Sequence, residues 1–177
     1  MSENWPVKLK NGELVLQPLR WRDRKRWLNV RNENRDWLGE WEATLPQVPG
    51  ESSSQALPTF FEMVSWHRRE GHQGRSYSLA IWHINSQGKN LIGQITMGGV
   101  MYGAMRGAHI GYWIDQAYAN RGYTTQAVQA VTEFGFKSLK LHRIEINIRP
   151  ENMASIRVAE KAGYLFEGVR PRYLHID

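Results

Sequence analysis

Chemistry in this chain concentrates where the apolar run Ile110-Gly111-Tyr112-Trp113-Ile114 gives way, through Asp115 to Arg121, to a helical pattern opening Gly122-Tyr123-Thr124-Thr125-Gln126-Ala127. The first amides of a helix lack partners inside it, and the helix dipole places partial positive charge beside them. A glycine lets a ligand come close to that backbone, and Arg121 adds a cation, so the turn suits an anion and above all a phosphate. One glycine in such a place is also what an ordinary turn looks like. A second helix start follows at Asn152, with Ser155 three positions on; an asparagine there is a helix cap at the least. Two titratable residues lie near tryptophans that could line a pocket. Glu42 follows Trp41, and His109 precedes the Ile110 run. Each reads either as a proton acceptor or as a solvated surface group.

Several other chemistries are excluded. The chain has no cysteine, which removes disulfides, thiolate metal sites and a cysteine nucleophile. Histidines 67, 72, 83, 109, 142 and 175 show no zinc-binding spacing, and no metal is expected. There is no Gly-x-x-x-x-Gly-Lys-Ser/Thr loop and no Gly-x-Gly-x-x-Gly, and Ser52 to Ser54 lack a nucleophile-elbow setting.

The 177 residues fit one domain, 1–177. No run approaches the roughly 20 apolar residues that span a bilayer. Met1-Ser2-Glu3-Asn4-Trp5-Pro6 lacks the layout of a secretory signal, so a cytoplasmic location is expected. The formal charge of +6 suits a polyphosphate cofactor, nucleic acid or an acidic surface. Its densest stretch, Arg20 to Arg26, reads first as a solvated helix face.

The elements that must position these residues follow from period and punctuation. Leu14 to Leu19 reads as a strand after the Asn11-Gly12 turn, and a helix from Asp23 to about Asn34 places Trp27 toward the core. Pro46 to Pro58 is a loop, and a helix from about Thr59 to Arg69 ends at Gly71. Period two then marks strands at Tyr77 to Ile84, Leu91 to Met97 and, after a glycine-rich connection from Gly98 to Gly107, Ala108 to Asp115. An amphipathic helix runs from Gly122 to about Leu139. A strand with Ile144, Ile146 and Ile148 on one side spans Arg143 to Arg149, Asn152 starts a short helix that Gly163 ends, and Tyr164 to about Ile176 is a last strand. The order β-α-α-β-β-β-α-β-α-β describes a mixed α/β sheet with a right-handed parallel β-α-β unit near its end.

The strand, the Gly122 turn and Asn152-Met153-Ala154-Ser155 together resemble the coenzyme A motifs of the GCN5-related N-acetyltransferase (GNAT) family. The likeness covers roughly residues 12 to 177. In that family the phosphate loop reads Gln/Arg-x-x-Gly-x-Gly/Ala; here Gly122 matches the first glycine, while Ala119 and Thr124 depart at the flanking positions. Trp37-Leu38-Gly39-Glu40-Trp41-Glu42 and the ending Glu167 to Asp177 are similar to the RimJ/RimL-type branch, and to its RimJ-like members in particular. Family members continue with a Gly-x-Trp-x-Asp-His segment and a further strand, which is expected to be missing from this chain.

The resemblance implies a GNAT fold, acetyl-CoA as cosubstrate, and direct attack of an amine on the thioester. It implies that Arg121, Gly122, Tyr123, Thr124 and Thr125 hold the pyrophosphate, that Trp113 and Ile114 flank the acetyl group at a splayed strand end, and that Asn152 and Ser155 meet the pantetheine arm. The tyrosine that many relatives use as general acid is Ala159 here, and the branch implies Ser155 in its place. Trp41 and Glu42 are implied on the acceptor side, with Glu42 and His109 as the groups that would take the amine's proton. The branch points to the α-amine of a ribosomal protein as acceptor. A small amine or antibiotic, and a non-catalytic coenzyme A- or RNA-binding module, remain open at this stage. A monomer or homodimer is expected, with no membrane and no direct nucleic-acid contact.

Overall fold

The computed structural model describes residues 4–42, 58–86 and 88–173. The expected loop from Pro46 and the expected strand end at Ile176 therefore lie outside the described residues. Strands β1 (Leu9–Asn11) and β2 (Leu14–Gln17) form a hairpin. After a single 3-10 turn (Trp21–Asp23) come helices α1 (Arg24–Glu33), α2 (Arg35–Gly39) and α3 (Phe60–His72). Strands β3 (Tyr77–Asn85), β4 (Gly88–Met101) and β5 (Gly107–Ile114) make a meander, followed by α4 (Tyr123–Lys137), β6 (Arg143–Glu145) and α5 (Met153–Lys161). The six strands lie in chain order, antiparallel throughout except for the parallel β5–β6 pair. This is a mixed α/β fold, a sheet flanked by helices, as the sequence predicts.

Period-two alternation decides what each face buries. Leu79, Ile81, Ile95, Met97 and Ile110 face α4, whose Ala127, Val128, Val131 and Phe134 fall on one side at helical spacing and complete the main core. Val15, Ala80, Trp82 and Leu91 face the other way, and Trp27 of α1 packs on them as the sequence predicts. No helix among the described residues is long and apolar enough to cross a membrane.

Four expectations are corrected. Helix α3 does not stop at Gly71 but runs to His72. Gly71 is buried because a Cβ there would fall closer than 3.0 Å to three atoms of the Trp5 ring. Glycine to alanine inside a helix ordinarily gains about 1 kcal/mol, whereas overpacking costs about 1–3 kcal/mol. Gly71→Ala is therefore expected to lower stability by about 1 kcal/mol net, read as a fall in the urea midpoint; a raised midpoint would contradict this packing.

Second, Gly98 and Gly99 do not open a loop. Strand β4 continues through them to Met101 with an irregularity in its pairing. A Cβ on Gly99 would lie 2.9 Å from the His109 ring, so these glycines make room for that imidazole. Third, the strand expected over residues 143–149 pairs only as far as Glu145, opposite His109. Alternation of Ile144 and Ile146 reports which side chains are buried; it does not report whether the backbone is paired. Fourth, Tyr164 to Tyr173 forms no strand. The segment is instead fastened by side chains, with Arg143 ion-paired to Glu167 and Arg170 to Glu145. The strand β1 was not anticipated; three residues are too few to show a period.

Candidate active site

The turn into α4 is built from polar contacts around the buried Asn34. Asp115 Oδ1 caps the Ala117 amide at 3.0 Å and accepts from Asn34 Nδ2 at 3.1 Å, while Asn34 Oδ1 accepts the Gln116 amide at 2.8 Å. The end of β5 is thereby bolted to the end of α1. Asn120 (φ 59°) and Gly122 (φ 79°) both take the left-handed conformation that turns the chain into the helix. No side chain caps α4, and its first internal bond runs from the Gln126 amide to the Gly122 carbonyl at 3.0 Å. The amides of Tyr123, Thr124 and Thr125 therefore precede the helix ladder. A Cβ at Gly122 would meet nothing within 4 Å. Glycine is required here by its backbone angle, and its face is open to a ligand.

Contacts from distant parts of the chain hold this turn. Tyr123 Oη lies 3.0 Å from His83 Nε2 and 3.4 Å from Glu13 Oε2, and His83 Nε2 lies 3.1 Å from the same carboxylate oxygen. The His83 ring also packs on Tyr118, over which Arg121 sits at 5.6 Å. Asn11 Nδ2 donates to the Gln126 carbonyl at 3.1 Å. Tyr123 thus points its side chain into the protein and offers a ligand only its amide. Nothing in the sequence pattern links Glu13, His83 and Tyr123, which belong to three separate elements.

Beyond His109 the parallel neighbours part, because β5 continues to Ile114 without a paired strand on that side. The opening is bordered by the start of α5. Asn152 Oδ1 accepts the Ser155 amide at 3.0 Å, so its side chain caps the helix. Tyr112 crosses the gap and donates its hydroxyl to the Ser155 carbonyl at 3.1 Å. Burial pushes the Tyr112 phenol up to about 12, and it stays protonated across the neutral range. Ala159, on the same helix, brings no proton donor.

The opposite face of the sheet carries a groove of about 280 Å³ lined by Gln94, Thr96, His109, Gly111, Tyr112 and Trp113. Trp27 Nε1 donates to Gln94 Oε1 at 3.0 Å, and Gln94 Nε2 donates in turn to Ser78 Oγ at 2.9 Å. Arg31 lies over both the Trp27 ring (5.8 Å) and the Trp113 ring (5.2 Å) and is ion-paired with Glu42. Trp37 Nε1 donates to the Ile114 carbonyl at 3.2 Å. Arg149 lies 5.7 Å from the Trp41 ring centre and donates to the Glu40 carbonyl at 3.1 Å. The fold therefore brings Glu42, through Arg31, to Trp113, and puts His109 in the groove wall. Ser155 lies across β5 from them, at the gap.

Among the described residues no cluster of three or more histidine or carboxylate side chains is gathered as a metal would require. The arrangement offers a helix start with free amides, an open strand gap beside it, and a groove with an imidazole in its wall and the Arg31–Glu42 pair at its Trp113 edge. Such a site can take a phosphate-bearing donor from one side and a nucleophile from the other.

Comparison with known proteins points to one family. The profile of the acetyltransferase (GNAT) domain matches residues 13–165. The probable N-acetyltransferase YjcK of Bacillus subtilis is 29% identical over 169 residues, covering 96% of this chain and 90% of that protein. The ribosomal protein uS5-alanine N-acetyltransferase of Escherichia coli is 27% identical over 97% of this chain and 84% of its own length. The solved structure of Mycobacterium smegmatis RimJ in complex with CoA-disulfide superposes with a TM-score of 0.84 and 32% identity, covering 100% of this chain and 84% of that one. The chain belongs to the GNAT family of acetyl-CoA-dependent acetyltransferases.

Proposed function

We propose that this protein acetylates the α-amine of a protein N-terminus, with a ribosomal protein as the acceptor. The observation that carries the reading is the uncapped start of α4 beside the open β5–β6 gap, with a separate groove beside Trp113. The names of the relatives support the acceptor class, since uS5-alanine and ribosomal-protein-serine acetyltransferases are among them.

The residues present fit the donor. The Tyr123, Thr124 and Thr125 amides, with Arg121 and the bare face of Gly122, hold a diphosphate. Trp113 and Ile114 on one side and the Asn152–Ser155 turn on the other border the channel for a pantetheine arm. Bound there, acetyl-CoA supplies an acetyl group activated as a thioester. An α-amine has a pKa of about 7.7–8.0, so part of it is neutral near pH 7 and a weak proton acceptor suffices. Glu42, fixed by Arg31, holds the incoming amine, directly or through water, and His109 in the groove wall takes the proton. The Ser155 hydroxyl gives a proton to the departing thiolate.

Binding of the donor is tested by thermal unfolding. Acetyl-CoA at about one hundred times its Kd is expected to add about 2.7 kcal/mol, a rise in Tm of roughly 5–10 °C. Gly122→Val should lose most of that rise, because a β-branched residue is strained at this φ and crowds the amides. No rise for the unsubstituted protein sinks the acetyltransferase reading. The acceptor is tested by thiol release with Ala- or Ser-starting peptides against polyamines; release with polyamines alone overturns the N-terminal reading. For the proton acceptor, Glu42→Gln is expected to raise the KM for peptide about tenfold. His109→Ala is expected to lower kcat about a hundredfold. Near-normal rates in both variants remove both residues from these roles.

A further inference from the structure

The stretch from Arg20 to Arg26 carries five cations in seven residues, and composition alone reads it as a solvated face. The structure groups it with others. Lys89 Nζ lies 4.3 Å and the Arg26 guanidinium 5.8 Å from the centre of the Trp82 ring, so both cations lie against one buried indole. Burial lowers the Lys89 pKa, and Lys8, Arg20 and Arg26 push it further down against the opposing pull of Asp23, so these charges crowd one another. Asp23, the only acid in the run, is buried and accepts the Arg20 amide at 2.9 Å.

Several cations elsewhere have carboxylate partners. Arg75 pairs with Glu70, Arg143 with Glu145 and Glu167, and Lys137 with Glu133. None of the ion pairs among the described residues involves Lys8, Arg20, Arg22, Arg24, Arg26 or Lys89. Like charges that outnumber the one buried carboxylate among them repel one another, and an external polyanion relieves that repulsion.

Two aromatic rings choose among polyanions. Trp21 is 59% exposed between Arg20 and Arg22, and Phe61 is 49% exposed with the Arg24 guanidinium 5.9 Å from its centre. An acidic protein surface would need the cations alone. Flat rings set among cations match a chain in which phosphates alternate with unstacked bases. The surface also leads to the groove. Helix α1 begins in it at Arg24 and carries Arg31 against Trp113, seven residues further on, which is roughly 10 Å at about 1.5 Å per residue.

We infer that the surface around Trp21, Phe61, Arg20, Arg22, Arg26 and Lys89 binds single-stranded RNA, and that it holds an RNA-bearing acceptor beside the groove. The second half rests on the reading of a ribosomal-protein acceptor; the first half does not.

The test is anisotropy of a fluorescently labelled single-stranded oligouridylate, titrated with the full chain at two salt concentrations. If four phosphates are neutralised, a fourfold rise in salt is expected to weaken binding roughly 50-fold, at a slope of about 0.7 per phosphate. In the triple variant Arg20→Gln/Arg26→Gln/Lys89→Gln, the same rise should cost only about threefold. Trp21→Ala is expected to weaken binding about tenfold, and Trp21→Phe to restore most of it, since a ring stacks where a methyl cannot. All three proteins should acetylate a short free peptide at the unsubstituted rate, which also shows that they fold. No binding at low salt, or binding that ignores Trp21 and is matched by polyglutamate or anionic vesicles, overturns the inference. RNA binding without peptide acetylation would leave the surface standing and remove the acceptor reading; acetylation without RNA binding would do the reverse.

Discussion

Ser155→Ala is expected to lower kcat about a hundredfold while the KM for acetyl-CoA changes less than about threefold. The substitution is unusually clean. Ser155 makes its two structural hydrogen bonds through its backbone, its amide to Asn152 Oδ1 and its carbonyl from the Tyr112 hydroxyl. Alanine preserves both and is the better helix former, so the loss is confined to one hydroxyl at the gap. A proton donor matters most when the leaving group is basic. A donor thioester with a less basic thiol should therefore recover much of the rate in Ser155→Ala and change the unsubstituted enzyme little. An unaltered kcat for Ser155→Ala with acetyl-CoA would assign thiolate protonation to water.

The second large effect concerns the wall between the gap and the groove. Gly93 lies opposite Ile114 where β4 and β5 run side by side. A Cβ on it would come closer than 3.0 Å to the Trp113 carbonyl oxygen and to 3.2 Å from the Ile114 Cα. Glycine to alanine in ordered structure ordinarily gains about 0.5–1 kcal/mol. Here the obstacle is backbone, which cannot rotate aside as the Trp5 ring can beside Gly71. Gly93→Ala is therefore expected to cost about 3 kcal/mol, the upper end of the overpacking range. Urea unfolding would read this, and anisotropy or calorimetry should show weakened acetyl-CoA binding in the protein that remains folded. A stability loss below that of Gly71→Ala would refute the close approach of these two strands.

The parts of this molecule that were legible in its sequence are those where period and punctuation agree locally. Helix α4 shows its apolar face at Ala127, Val131 and Phe134, and the turn before it needs a glycine. The α5 cap is written in Asn152 and Ser155, and the β3–β5 meander in alternating side chains. What could not be read was set by partners far along the chain. Gly71 resembles a helix stop until Trp5 is known to lie against it. Gly98 and Gly99 resemble a loop until His109 fills the space above them. Residues 146–149 carry a strand's alternation, but pairing is a property of two segments, and the second turns away. At the site, Gly122 and Asn152 announced themselves, and Trp41-Glu42 carries a family likeness. Arg31, which ties Glu42 to Trp113, was hidden inside an ordinary helix repeat.

The hold that the N-terminal hairpin keeps on α4 also bears on when the protein can acquire its ligand. Asn11 reaches the Gln126 carbonyl across 115 residues of sequence, and Glu13 meets Tyr123 across 110. Such long-range contacts close late, because the loop entropy must be overcome before they form. On the ribosome the β1–β2 hairpin emerges before α4, and 115 residues separate Asn11 from its partner Gln126. The turn into α4 is thus among the last features to become rigid. Coenzyme affinity should appear abruptly in a series of lengthening nascent chains, once α4 has cleared the exit tunnel and docked on the hairpin.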